Sequence, residues 1–158
     1  TSSITMTGIM RHIILIPGLL LLTMQSVSTQ TISVHVENIR TVTGNLYVAV
    51  FDSQESFKTE KPVFETVLGK SDMTGDALSC EIPLRKGQFG IAVYDDANDN
   101  GKMDYYYFRI PSEGFGFSNY HSKGFNSPQY KDFSFTLDEN ESKKVRVLLR
   151  YIGKTRSL

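Results

Sequence analysis

From residue 31 onward the chain alternates apolar and polar positions with a period of two, interrupted at short intervals by glycine, proline and acidic turns. Residues 31–38 set Ile32, Val34 and Val36 against Ser33, His35 and Glu37, a half-buried strand with His35 on its outer face. After the turn at Gly44-Asn45, residues 46–51 form a near-continuous apolar run, as a central strand requires. Further extended pieces follow at 63–68, 77–84, 88–94, 131–137 and 143–152. In the piece at 131–137 the period places Phe133, Phe135 and Leu137 on one face. About seven strands at this spacing predict an all-β Greek-key sandwich, and no amphipathic helix of useful length competes with it. One interval breaks the rhythm. Residues 95–130 lack a strand pattern but hold many aromatics, among them Tyr105, Tyr106, Tyr107, Phe115, Phe117 and Tyr120. Aromatic content of this kind predicts one long ordered loop that packs on itself or on the sandwich.

The first residues read differently. Arg11 and His12 precede the apolar run 13–22, and the small and polar residues 26–30 follow it. A basic start, a short apolar centre and a small-residue zone spell a secretory signal peptide cut after Ser28. Pro17 and Gly18 interrupt the run, which is too short for a comfortable membrane span. The expected organisation is therefore upstream residues plus signal peptide over 1–28 and a single domain over 29–158, exported to the periplasm or secreted, with no membrane span after cleavage. The formal charge of the 158 residues is zero and no long basic block exists, which gives nucleic acid no electrostatic footprint. Cys80 is the only cysteine, so no internal disulfide is available, and its alternating surroundings read as a small core residue.

Candidate chemistry is concentrated where the long loop begins. Asp96, Asn98 and Asn100 place oxygen-bearing side chains at alternate positions, Gly101 supplies a tight turn, and Asp104 adds a carboxylate. This is the opening of a calcium-loop pattern, in which the Lys102 carbonyl occupies the seventh position. The twelfth position of an EF-hand needs a bidentate glutamate, and Tyr107 stands there, preceded by a strand where a helix belongs. The expected site is thus a calcium loop of another kind. Glu113 is the nearest source of the missing carboxylate, with Asp95 a second source and Asp99 turned to solvent. The alternative is a plain polar turn, since Asp, Asn and Gly also make these unaided.

Two segments around this loop, 82–104 and 108–119, resemble a bacterial family of exported proteins, domain of unknown function 2141. The likeness rests on Gly44-Asn-Leu-Tyr-Val-Ala-Val-Phe51, on Asp96-Ala-Asn-Asp-Asn-Gly-Lys-Met-Asp104 and on Ile110-Pro-Ser-Glu-Gly-Phe-Gly-Phe-Ser-Asn119. Asp95 stands where that family usually has histidine, and Phe89 where it commonly has tyrosine. The resemblance implies an exported single-domain protein and carries no activity. The wording of residues 87–95 is also similar to transthyretin-like and collagen-adhesin-like sandwiches, which implies an Ig-like or prealbumin-like key at the level of fold alone.

Phe115, Phe117, Ser118 and Asn119 form a second candidate, a lip with two stacking rings and two hydrogen-bonding groups for a sugar or protein partner. The competing expectation is that both rings turn inward over an open end of the sandwich, with Gly114 and Gly116 allowing close backbone approach. His35 and His121 lack triad partners, and alternate carboxylates suit a chelate better than an opposed acid and base. The sequence therefore predicts a non-catalytic binding or accessory module of the envelope with a glycan or envelope-protein partner and a calcium ion. A structural subunit of a cell-surface assembly is the alternative, and a metal-assisted hydrolase a third.

Overall fold

The computed structural model describes residues 30–107, 110–121, 124 and 127–152. The signal-peptide reading falls outside them. Among the described residues eight strands build two packed sheets. The first sheet has β1 (Gln30–Glu37) at its centre, antiparallel to β4 (Leu78–Leu84) and parallel to β8 (Lys143–Leu148). The second runs β3 (Phe64–Gly69), β2 (Asn45–Phe51), β5 (Gly87–Asp96) and β6 (Gly114–Phe117). A further strand, β7 (Ser134–Leu137), pairs with the first half of β5, while β6 pairs with the second half. The sheets meet along one side, where Phe115 and Arg150 exchange backbone hydrogen bonds and Asn119 N–H donates to the Arg146 carbonyl. This is the two-sheet all-β sandwich that the alternation predicts, with eight strands where about seven are expected.

The core lies between the sheets and is made by the inward positions of each period-two pattern. Ile32, Val34, Val36, Leu46, Val50, Ile82, Ile91 and Val147 are fully buried there. Each such side chain contributes about 1.5–3 kcal/mol through burial. Opposite them His35 is exposed, as its register position requires. Cys80 packs half-buried against this core, and burial pushes its thiol pKa up, away from nucleophilic use.

Three local differences from the sequence reading have physical causes. The expected strand at 131–137 begins as a short helix, α2 (Tyr130–Phe133), whose start is closed by Asp132 accepting from Gln129 N–H at 2.8 Å. Phe133 therefore leaves the face of Phe135 and Leu137. It joins Phe51 and Tyr130 in a separate cluster on the outer side of the second sheet. The break after β2 is a five-residue helix, α1 (Gln54–Lys58), opened by a reciprocal cap between Ser53 and Ser56. Finally, the long loop contains β6, because Gly114 and Gly116 let that strand lie against Tyr151 and Leu148. A Cβ at Gly114 would stand 2.4 Å from the Tyr151 ring, and one at Gly116 would stand 2.7 Å from the Leu148 carbonyl.

Candidate functional site

The end of β5 delivers two consecutive aspartates to opposite faces of the sheet. Asp96 is fully buried and receives the loop it begins: Asn100 N–H donates to one oxygen at 3.1 Å and Gly101 N–H to the other at 2.7 Å. This curl needs positive φ at Asp99 (58°) and at Gly101 (77°), which explains the glycine at the tight-turn position. Asn98 and Asn100 both aim their amide nitrogens at one oxygen of Asp104, each at 2.7 Å. Asn100 also accepts from Lys102 N–H at 3.0 Å. From β6's leading edge, buried Glu113 reaches back and closes the loop at both ends. Its two oxygens accept from Ala97 N–H and Asp104 N–H, each at 3.1 Å.

Asp96, Asn98, Asn100, Asp104 and Glu113 are thus joined through one short loop. The donor chemistry is that of a hard, oxygen-preferring cation. Their oxygens, however, face N–H donors, and among the described residues no three His, Cys, Asp or Glu side chains converge as a ready chelate. Turning over the Asn98 and Asn100 amides would exchange nitrogen for oxygen toward Asp104. The electrostatics lean the same way. Burial, and after it the negative charges of Asp96 and Asp104, push the Glu113 pKa up, although the N–H donors of Asp104 and Ala97 pull against the rise. Asp99 is exposed, as expected, and also accepts from the Asn45 amide at 2.6 Å.

Asp95 corrects one expectation. It is not a spare ligand for the loop, because its side chain points into the interior and is fully committed there. Buried Lys70 forms an ion pair with it, Tyr151 donates its hydroxyl at 2.5 Å, and Thr41 approaches both oxygens at 3.2 and 3.3 Å. The remaining Lys70 donors go to the Thr41 hydroxyl at 2.8 Å and the Thr43 carbonyl at 2.6 Å. Arg40 stacks over the Tyr151 ring at 4.7 Å. The sequence carries no signal for this cluster, since its members lie on four separate segments.

The second candidate is also redrawn. Ser118 and Asn119 are not free hydrogen-bonders of a lip. Ser118 is fully buried, donates to the Phe133 carbonyl at 2.6 Å and accepts from Ile91 N–H at 2.9 Å. The Asn119 side-chain oxygen accepts from Arg146 N–H at 3.1 Å. Nor do Phe115 and Phe117 cap an open end of the sandwich. They stand half-buried on the outward face of β6, where Phe117 packs on Phe57 and Phe133.

That outward face holds a groove of about 530 Å³. Cross-strand register sets its floor. One row runs Glu65, Ala49, Ala92, Phe117, and the next runs Val67, Tyr47, Tyr94, Phe115. Tyr47 and Tyr94 stack with ring centroids 4.7 Å apart. Burial, with Tyr47 and the charges of Asp96, Glu113 and Glu65, pushes the Tyr94 pKa up to about 12. One wall is the loop itself, through Gly101, Lys102, Met103 and Tyr105. The groove is foreshadowed only by Ala49 and Ala92, small residues at outward positions of otherwise bulky strands.

His35 bonds Ser79 at 2.8 Å on the surface, far in chain and register from the loop carboxylates. No helix among the described residues is long and apolar enough to cross a membrane. Compared with known proteins, the chain matches no curated protein and no solved structure. Residues 34–146, which include the second half of β1, the whole loop, Glu113 and most of β8, match the family described as "Uncharacterized protein conserved in bacteria (DUF2141)". The chain belongs to this bacterial family of domain of unknown function 2141.

Proposed function

We propose that this protein is an exported, non-catalytic binding or accessory module of the bacterial envelope, in which the 96–104 loop takes up calcium and thereby fixes one wall of a binding groove. The observation that carries this reading is the double duty of a single loop. Asp96, Asn98, Asn100, Asp104 and Glu113 gather along it, and the same loop presents Lys102, Met103 and Tyr105 to the groove. Those five side chains and the Lys102 carbonyl are the six groups assigned to the ion, a number within the range calcium takes. Asp96 and Glu113 are buried and, among the described residues, form no ion pair, a cost that an ion would relieve. Export is supported by the basic, apolar and small-residue succession over residues 10–28.

A ligand bound only by the folded state raises the melting temperature by mass action. Calcium should raise it relative to chelator, magnesium should raise it less, and Asp96→Ala and Asp104→Ala should abolish the calcium response. An unchanged melting temperature in calcium would reduce the loop to a self-capped turn.

One observation favours the assembly-subunit reading. β3 pairs only with β2 among the described residues, and its Val67 is 50% exposed, which leaves an edge open to strand addition. A discrete monomer by size exclusion with light scattering at high concentration would remove that reading.

A further inference from the structure

The groove on the outer face of the second sheet has a composition that selects its occupant. Its floor is lowered by the Ala49–Ala92 cross-strand pair, with the stacked Tyr47 and Tyr94 on one side and the Phe51–Phe117 cluster on the other. Tyr105 forms part of the wall and is 57% exposed, and the next two residues, Tyr106 and Tyr107, are exposed at 48% and 89%. An exposed tyrosine in the wall of a trough of about 530 Å³ offers a flat apolar ring face together with a polar hydroxyl. Among the described residues the charged groups lining it are Glu60, Glu65, Lys102 and Arg150.

We propose that this groove binds a neutral oligosaccharide, an inference that rests on the reading of the chain as a binding module. A pyranose ring offers an apolar C–H face and an equatorial rim of hydroxyls. The face matches tyrosine and phenylalanine rings. The rim matches carboxylate acceptors and cationic donors placed at the edges of the same trough. Each of these four side chains can hydrogen-bond a hydroxyl, and the negative charges of Asp96, Glu113 and Glu65 that act on Tyr94 in the groove floor disfavour a polyanion. A trough of this size lies within the range of small-ligand sites. Its position on a sheet face, alongside a loop, leaves room for a chain to continue beyond the contacted rings.

The test is a titration of the ¹⁵N-labelled protein in calcium, followed by NMR, with cellohexaose and chitohexaose as neutral probes. An oligogalacturonate serves as the anionic sugar and 8-anilinonaphthalene-1-sulfonate as an aromatic non-sugar. A neutral hexasaccharide is expected to shift the amides of Ala49, Ala92, Tyr94 and the 101–105 segment. Ala92→Leu, which fills the floor from the solvent side, and Tyr105→Ala should each weaken that binding by about tenfold or more, with melting temperatures unchanged. If the neutral sugars move none of these amides while the oligogalacturonate or the aromatic dye does, the groove binds but the proposed class is wrong. If no probe moves them, the groove is not a ligand site, and the binding-module reading loses its groove along with the inference. Sugar binding undiminished in both variants would place the contact elsewhere and overturn the proposal.

Discussion

Asp95 and Asp96 are neighbours in sequence, both completely buried, and they live in opposite electrostatic worlds. The pleat turns Asp95 inward, where it meets a full counter-charge in Lys70 and two hydroxyls. It turns Asp96 outward into the loop, where it meets two backbone N–H groups and the neighbouring acids Asp104 and Glu113. The first site is electrically complete. The second has its hydrogen bonds but, among the described residues, no ion pair. A buried anion of the first kind is a fixture of the fold, and one of the second kind is poised for a cation.

The sharpest way to break this contrast is to remove Lys70. Lys70→Ala leaves buried Asp95 without its counter-charge, and chemical denaturation should show a loss of about 3–5 kcal/mol. The paired replacement Lys70→Met with Asp95→Leu should recover much of it, because both charges then leave the interior together. Calcium should not alter either result. Asp96→Ala removes the charged acceptor of two part-buried bonds from the Asn100 and Gly101 N–H groups, a loss of about 1–3 kcal/mol in chelator. Unlike Lys70→Ala, it should also eliminate the calcium response. Gly101→Ala forces a side chain into left-handed backbone, and about 1–2 kcal/mol should be lost, measured by the same denaturation curves.

The smallest effect is a slope. The folded-state pKa of Glu113 is raised above its ordinary 4.5. The folded protein therefore holds that proton more tightly than the unfolded chain. In chelator, the stability this group contributes is fully present below the unfolded pKa and is lost as pH rises through the raised folded value. Calcium requires the carboxylate, so its stabilisation should grow over the same rise. Glu113→Gln should flatten both dependences in melts taken across that range.

The two aspartates also measure what can be read from sequence. The strands were legible because period-two alternation is local, and Ile32, Val34 and Val36 declare their face without reference to any partner. The loop was legible for a similar reason: Asp96, Asn98, Asn100 and Gly101 act on one another over a few residues, and Glu113 lies close beyond them. The Asp95 cluster was not, because Lys70, Thr41 and Tyr151 come together only when the sheets pack. Phe133 was misplaced for another reason. Its position fits a strand period, but Asp132 caps a turn of helix that shifts the ring to the opposite side of the sheet. Ser118 is tied to β5 and α2, and Asn119 to β8, by long-range bonds that local composition does not announce.

Isothermal titration calorimetry of calcium into the metal-free protein tests the central claim most directly. The account predicts one calcium per chain, lost in Asp96→Ala and retained in a control substitution of the exposed Glu139. The absence of a binding isotherm, or an isotherm that Asp96→Ala leaves unchanged, would contradict it.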